Sequence, residues 1–377
     1  MLRAKRHIVV AACSGILLLA GCSGGTTVDD DVSGGDAPAF TKVKAGYVSA
    51  IDQTGLPAGL EAGHFDEQNL NVKLSDPFPT GVDALNALQA GEVDFVQVGT
   101  PAIAAAQKGI DLALVGNYTG SASKQSIDET MAVVAGADSG VDGDDLKTLR
   151  GKRVGVSEGS INHLYLLGLL QKAGLKAGDV KVVNTEPPDM AVALKTGGID
   201  VAIVWDPFPI QITQQVDGAE EVLRGGGHIP FVGYIVTTRK YAAEHPDIVE
   251  RFLTARATTD QWMRENPERA ANSATRWLPG TKESVAQESM KHNVKQLDPR
   301  FSTCNYLALD TLARLLAEQG NTKPGFDVNK YFQPAPLLKV MDKHTKLFTD
   351  LPPVPGSAVI DDGYTFDRKS ATKACPS

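Results

Sequence analysis

Residues 87–101 and 193–207 align on each other without a gap. Six of the fifteen places are identical: Ala87/Ala193, Leu88/Leu194, Gly91/Gly197, Asp94/Asp200, Val98/Val204 and Pro101/Pro207, with Val93 matched by Ile199. Each copy reads as a helix closed by a Gly, a tight turn, a buried strand, and a helix with Pro in its first turn. A chain that contains this unit twice is expected to build two similar lobes, each with its own sheet.

The surrounding pattern agrees. Short apolar runs at 42–49, 71–74, 93–98, 112–115, 131–134, 153–157, 180–184, 199–205 and 232–237 read as strands. Helical periods at 82–90, 160–173 and 190–196 fall between them. Alternation of this kind predicts parallel sheets in an α/β protein. After Thr238 the segments 247–266, 268–277, 283–294, 307–318 and 336–348 all have a helical period, so the last third is expected to be a helical layer on the first lobe. With 377 residues, 42% apolar and 22% charged, the chain has enough apolar surface for packed cores. A net charge of −8 without a basic cluster, and 6% aromatics, argue against nucleic acid as a partner.

Arg3, Lys5 and Arg6 precede twelve uncharged residues, 8–19, too few to span a bilayer but suited to a signal-peptide core. Leu19-Ala20-Gly21-Cys22 follows and resembles the lipobox of bacterial lipoproteins. The expectation is a signal peptide at 1–21, Cys22 as the lipidated residue carrying a palmitate-type anchor, and a flexible Gly/Ser/Asp tether through 38. Cys304 and Cys375 remain as an even pair, expected to form a disulfide that ties the tail to the body.

Two lobes place their strand ends across a cleft, where helix N-termini supply free N–H groups. In the first lobe the loops are 49–57, with Asp52, Gln53 and Thr54; 78–83, with Thr80 and Gly81; and 99–101, with Thr100. In the second they are 157–163, with Ser157, Ser160 and His163; 184–189; and 205–208, with Trp205 and Asp206. Hydroxyl-bearing helix starts suit a singly charged oxyanion, since these loops hold no Arg and only Lys124 is near. Asp206 is expected to cap its helix or accept from a ligand donor, and Trp205 to form a flat wall. Residues 117–126 and 225–231 are the expected hinge. The seven His show no metal-binding spacing, so neither a metal nor a cofactor is expected. Gly155-Val156-Ser157-Glu158-Gly159 matches a nucleophile elbow, which keeps a Ser157 esterase-like hydrolase as an alternative of another class.

The repeat unit at 87–101, Leu149-Arg150-Gly151-Lys152-Arg153-Val154-Gly155-Val156, Gly159-Ser160-x-x-His163, Asp179-Val180, Trp205-Asp206-Pro207 and His245-Pro246-Asp247 occur in that order. Together with the lipobox this set resembles the substrate-binding lipoproteins of ABC importers in the sulfonate, taurine and nitrate group, over residues 42–271. The resemblance implies a periplasmic-binding-protein type 2 fold: lobe 1 from 39–120 and 230–350, lobe 2 from 121–229, and a tail at 351–377. It implies a monomer on the extracytoplasmic face, in the periplasm or on the cell surface, held by its lipid. The protein would capture a small organic anion or zwitterion, a sulfonate first of all, and deliver it to a permease and its ATPase. Thr80, Gly81, Thr100, Ser160 and His163 match the anion end, and Trp205 and Asp206 the other end of the ligand. Nitrate binders are expected to use basic residues, which these loops lack. Thiamine-pyrimidine relatives that are enzymes carry a Cys-rich motif, absent here. A cationic or neutral heterocycle is the alternative ligand, and no enzyme activity is implied.

Overall fold

The computed structural model describes residues 40–125 and 128–376. The signal peptide, Cys22 and the tether lie outside the described residues.

Ten strands among the described residues form two five-stranded sheets. In the first, β1 (Thr41–Gly46) lies between β2 (Leu70–Leu74) and β3 (Phe95–Val98), all parallel. β4 (Ala113–Thr119) is the far edge. In the second, β5 (Met131–Ala135) stands beside the parallel set β6 (Arg153–Val156), β7 (Lys181–Asn184) and β8 (Val201–Trp205), and β9 (Glu220–Arg224) closes the edge. β10 (Gly233–Thr237) returns to the first sheet, between β3 and β4. The orders β2-β1-β3-β10-β4 and β7-β6-β8-β5-β9 are the same arrangement built twice.

The sheets are mixed, which corrects the expectation of parallel ones. β10 runs antiparallel to β3 and β4, and β5 antiparallel to β8 and β9. Each antiparallel strand is the one the chain makes just after crossing from the other sheet, so it enters from the opposite end. Strand β9 has no counterpart in the sequence reading. Its outer residues Glu220 and Glu221 are exposed, so it lacks the apolar run that marks an inner strand.

The repeat is visible in detail. Helices α1 (Gly55–Glu61), α2 (Gly81–Gln89) and α3 (Pro101–Gln107) belong to the first sheet, and α4 (Ile161–Ala173), α5 (Met190–Lys195) and α6 (Phe208–Gln215) to the second. Gly91 after α2 and Gly197 after α5 both have φ of 71°, the left-handed turn that only Gly takes without strain. Asp94 accepts the backbone N–H of Lys44 at 2.7 Å, and Asp200 that of Arg153 at 2.7 Å. The shared aspartate therefore pins the central strand to its neighbour in both lobes.

The last third is helical: α7 (Arg239–Glu244), α8 (Pro246–Glu265), α9 (Pro267–Trp277), α10 (Glu283–Asn293), α11 (Thr303–Glu318), α12 (Ala335–Lys343) and α13 (Arg368–Ala374). α8 packs on α1, α12 and β4, on the first-lobe side, while α11 packs on α4 and α10 touches α6, so the layer also reaches the second lobe. Cys304 at the start of α11 is bonded to Cys375 after α13, with Cα atoms 5.4 Å apart. No helix among the described residues is long and apolar enough to cross a membrane.

The chain crosses between the sheets twice, after β4 and after β9. Asn117 lies inside β4 rather than in a hinge, so the first crossing starts at Gly120. The two crossings are joined by Asp128, whose carboxylate accepts the N–H groups of Gly227, His228 and Ile229 at 2.8–3.3 Å.

Candidate functional site

The strand ends of the two sheets meet at a seam. Trp205, the last residue of β8, donates its indole N–H to the carbonyl of Ser49 at 3.1 Å, and the Ile51 N–H donates to the carbonyl of Asp206 at 2.9 Å. Beside these contacts lies a cavity of about 40 Å³. Its walls are mostly apolar: Val48, Ala50, Val98, Pro101, Trp205, Phe231 and Val232. Its polar side chains are Asp52, Gln53, Tyr118 and Ser160, and Gly81, Gly99 and Ile161 complete the lining.

The helix starts are not equivalent. Thr80 is closed on itself: its hydroxyl donates to Asp83 Oδ2 at 2.7 Å, while the Asp83 N–H donates to Thr80 Oγ1 at 3.4 Å. This capping box satisfies α2 internally, leaving Gly81 rather than the Thr80 hydroxyl on the cavity. Ser160 is the opposite case. It precedes the thirteen-residue α4, does not cap it, is 2% exposed and lines the cavity with a hydroxyl that has no partner. Thr54 and Thr100 also keep buried, unpartnered hydroxyls, but neither lines the cavity.

Gln53 is a brace. Its carbonyl oxygen accepts the Val48 N–H at 2.6 Å, its amide N–H donates to the Tyr118 hydroxyl at 3.1 Å, and Gln97 donates to its backbone at 3.2 Å. Tyr118 reaches the cavity across Gly233, where a Cβ would lie 2.3 Å from the ring. Tyr118 and Phe231 escaped the sequence reading because they sit at a strand end and in a crossing, not in strand-to-helix loops. The aromatic in the Gly-rich return was the available signal.

Ser157 and His163 stand outside the cavity lining. The Ser157 hydroxyl donates to the Thr185 carbonyl at 3.2 Å, and His163 Nδ1 accepts the Gly159 N–H at 3.3 Å. Burial holds the His163 imidazole below its usual range, against the pull of Glu158. Among the described residues no His is bonded to Ser157, so the elbow motif lacks its base.

The clearest correction concerns Asp206. It does not cap α6. It is fully buried, and its carboxylate takes both Arg224 guanidinium N–H groups, at 2.8 and 3.2 Å. Burial pushes the carboxyl up to about 7, partly offset by Arg224. Burial works against the Arg224 charge as well, but Glu221 and Asp206 outweigh it and hold the guanidinium protonated. We take the pair as ionic, because both oxygens face the guanidinium. Arg224 is on β9, the strand the sequence pattern did not reveal, so a cation stands close to the site although no strand-to-helix loop supplies one.

Asp52 differs again. It is 5% exposed, lines the cavity, and accepts from no side chain among the described residues. Burial pushes its carboxyl up to about 7, with its own backbone N–H acting the other way. Its charge in turn adds to the burial that raises the Tyr118 phenol. No group of His, Cys, Asp and Glu among the described residues is placed to hold a metal ion.

Residues 50–270 match the family model described as NMT1/THI5 like. A Bacillus subtilis protein named for binding aliphatic sulfonates is 28% identical over 274 residues, covering 71% of this chain and 77% of that one. The taurine-binding periplasmic protein of Escherichia coli is 27% identical over 263 residues, covering 64% and 76%. Among solved structures, the alkanesulfonate-binding protein of Xanthomonas axonopodis pv. citri bound to MOPS superposes with a TM-score of 0.66 at 21% identity, covering 76% of this chain and 95% of that one. A desulfurization enzyme has the same fold, with a TM-score of 0.60 at 14% identity over 80% of this chain and 99% of its own.

Proposed function

The chain belongs to the NMT1/THI5-like family, and from that premise we propose that it is the substrate-binding protein of an ABC importer for a small organic anion or zwitterion, a sulfonate first of all. It hands this ligand to a permease driven by an ATPase. The observation that carries the reading is the cavity at the seam of the two sheets, where the uncapped start of α4 presents the Ser160 hydroxyl without a partner. Helix-start N–H groups and a hydroxyl hold an anion without a counter-ion of their own.

The lobes are 39–120 with 230–350, and 121–229. They exchange between open and closed forms through the two crossings, and a ligand that touches both lobes favours closure by its differential affinity. The proposal extends to the N-terminus: lipid on Cys22, a tether to residue 38, and a monomeric body on the extracytoplasmic face of the membrane. The relatives named for binding motivate a binder without catalytic activity, and the engaged Ser157 hydroxyl supports this.

A cationic or neutral heterocycle is the second reading, favoured by the unpaired Asp52 in the same cavity. Thermal unfolding with taurine, alkanesulfonates, sulfate, nitrate, a pyrimidine and choline tests both. A ligand at 100 times its dissociation constant adds about 2.7 kcal/mol. Stabilisation by sulfonates supports the importer reading as stated. Stabilisation by the pyrimidine or choline alone replaces the ligand class.

A further inference from the structure

Two features at the cavity ask for opposite charges. At one place the uncapped start of α4 and the unpartnered Ser160 hydroxyl call for an acceptor, best an anion. At another, Asp52 presents a carboxyl that no Lys, Arg or His meets, since none lines the cavity. Arg224, the nearby cation, has both its terminal nitrogens on Asp206 and Glu221. A buried carboxylate without a partner is costly, and a binding site tolerates that cost where the ligand brings the partner. Three aromatic residues, Tyr118, Trp205 and Phe231, line the same small space, and aromatic faces favour an ammonium over a neutral alkyl end.

We propose that Asp52 is the specificity-determining residue of this site, pairing with the ammonium of a short zwitterion whose anionic group sits at the Ser160 end. The class is an aminoalkanesulfonate rather than a simple alkanesulfonate. Asp206 is excluded from the role because Arg224 already occupies both of its oxygens. At about 40 Å³ the cavity admits even a short ligand only with the lobes further apart. The inference rests on the sulfonate reading above and narrows it.

The test is calorimetric titration of the protein and of Asp52→Asn with taurine and with propanesulfonate, a near match in size without the charge. The unaltered protein is expected to bind taurine roughly 30-fold or more tighter than propanesulfonate, the scale of a buried charge pair. In Asp52→Asn that preference is expected to vanish, with propanesulfonate bound equally well or better. Propanesulfonate bound as tightly as taurine by the unaltered protein overturns the inference and leaves the sulfonate reading standing. Taurine preference retained in Asp52→Asn also overturns it. Binding of neither compound removes the sulfonate reading and the inference with it. The comparison within the unaltered protein needs no variant to fold. Asp52→Glu adds a rescue arm, recovering part of the preference only if the carboxylate itself selects the ligand.

Discussion

Arg224 sets both of its terminal nitrogens on the buried carboxylate of Asp206, at 2.8 and 3.2 Å, from the outer strand of the second sheet. The same guanidinium also donates to the Glu129 carbonyl at 3.0 Å, so one side chain braces the end of β8 against the approach to β5. Because Trp205 and Asp206 carry the contacts to Ser49 and Ile51 of the other lobe, the Asp206–Arg224 pair supports the seam from outside the cavity lining.

Removing one partner therefore acts on stability. Arg224→Ala is expected to cost about 3–5 kcal/mol, since it strands a buried carboxylate. Asp206→Leu combined with Arg224→Met is expected to recover most of that loss. Urea unfolding of the three variants checks this. A single variant as stable as the parent would show that the pair is not buried in solution.

The two helix-start hydroxyls are expected to separate cleanly. Ser160→Ala removes a free donor at the cavity and should weaken anion binding by about 1.5–3 kcal/mol, the range for a hydrogen bond to a charged group, with little change in stability. Thr80→Ala opens a capping box and should cost about 1 kcal/mol of stability while leaving affinity unchanged. Parallel titration and denaturation distinguish them, and a reversed pattern would move the anion end to α2.

Asp52 gives the empty protein a pH signature. Its folded carboxyl is pushed up to about 7 from an ordinary value of 3.8, so the unfolded chain releases the proton first as pH rises. Its contribution to stability is thus fully present below about pH 4 and declines as pH rises toward 7, by at most about 4 kcal/mol. Asp52→Asn should remove this part of the decline and raise the melting temperature at pH 8. The Asp52 charge also helps to raise the Asp206 carboxyl, so the difference between the two proteins includes that part of the Asp206 shift. Identical profiles would show that Asp52 is ionised in the folded state without cost.

The disulfide is expected to steady one of the crossings. The Gln125 N–H donates to the Pro376 carbonyl and its side chain to the Cys375 carbonyl, each at 2.9 Å, so the tail lies against the segment leading from the first sheet to the second. Replacing Cys304 and Cys375 by Ala should cost about 2–5 kcal/mol and speed amide exchange at Gln125. Unchanged exchange there would mean that the tail holds its place by packing alone.

Much of this molecule is written locally. The repeat at 87–101 and 193–207 announced two lobes because Gly91 and Gly197 must turn left-handed, and Asp94 and Asp200 must take a neighbour's N–H, in each copy. Apolar runs marked the inner strands, and Pro or Ser marked the helix starts, since these preferences act within a few residues. What only the tertiary structure decided is non-local. β5 and β10 run antiparallel because of where the chain crosses, which no local period encodes. β9 is an outer strand with exposed glutamates and no apolar signature, and it carries the Arg224 that occupies Asp206. Whether Thr80 or Ser160 keeps a free hydroxyl depends on a cap made by Asp83 in one helix and missing in the other. Tyr118 joins the cavity only because Gly233, on a strand from far along the chain, leaves room for its ring. Propensity and periodicity determine the elements. Which polar groups remain unpaired, and so available to a ligand, is determined by packing between residues distant in sequence.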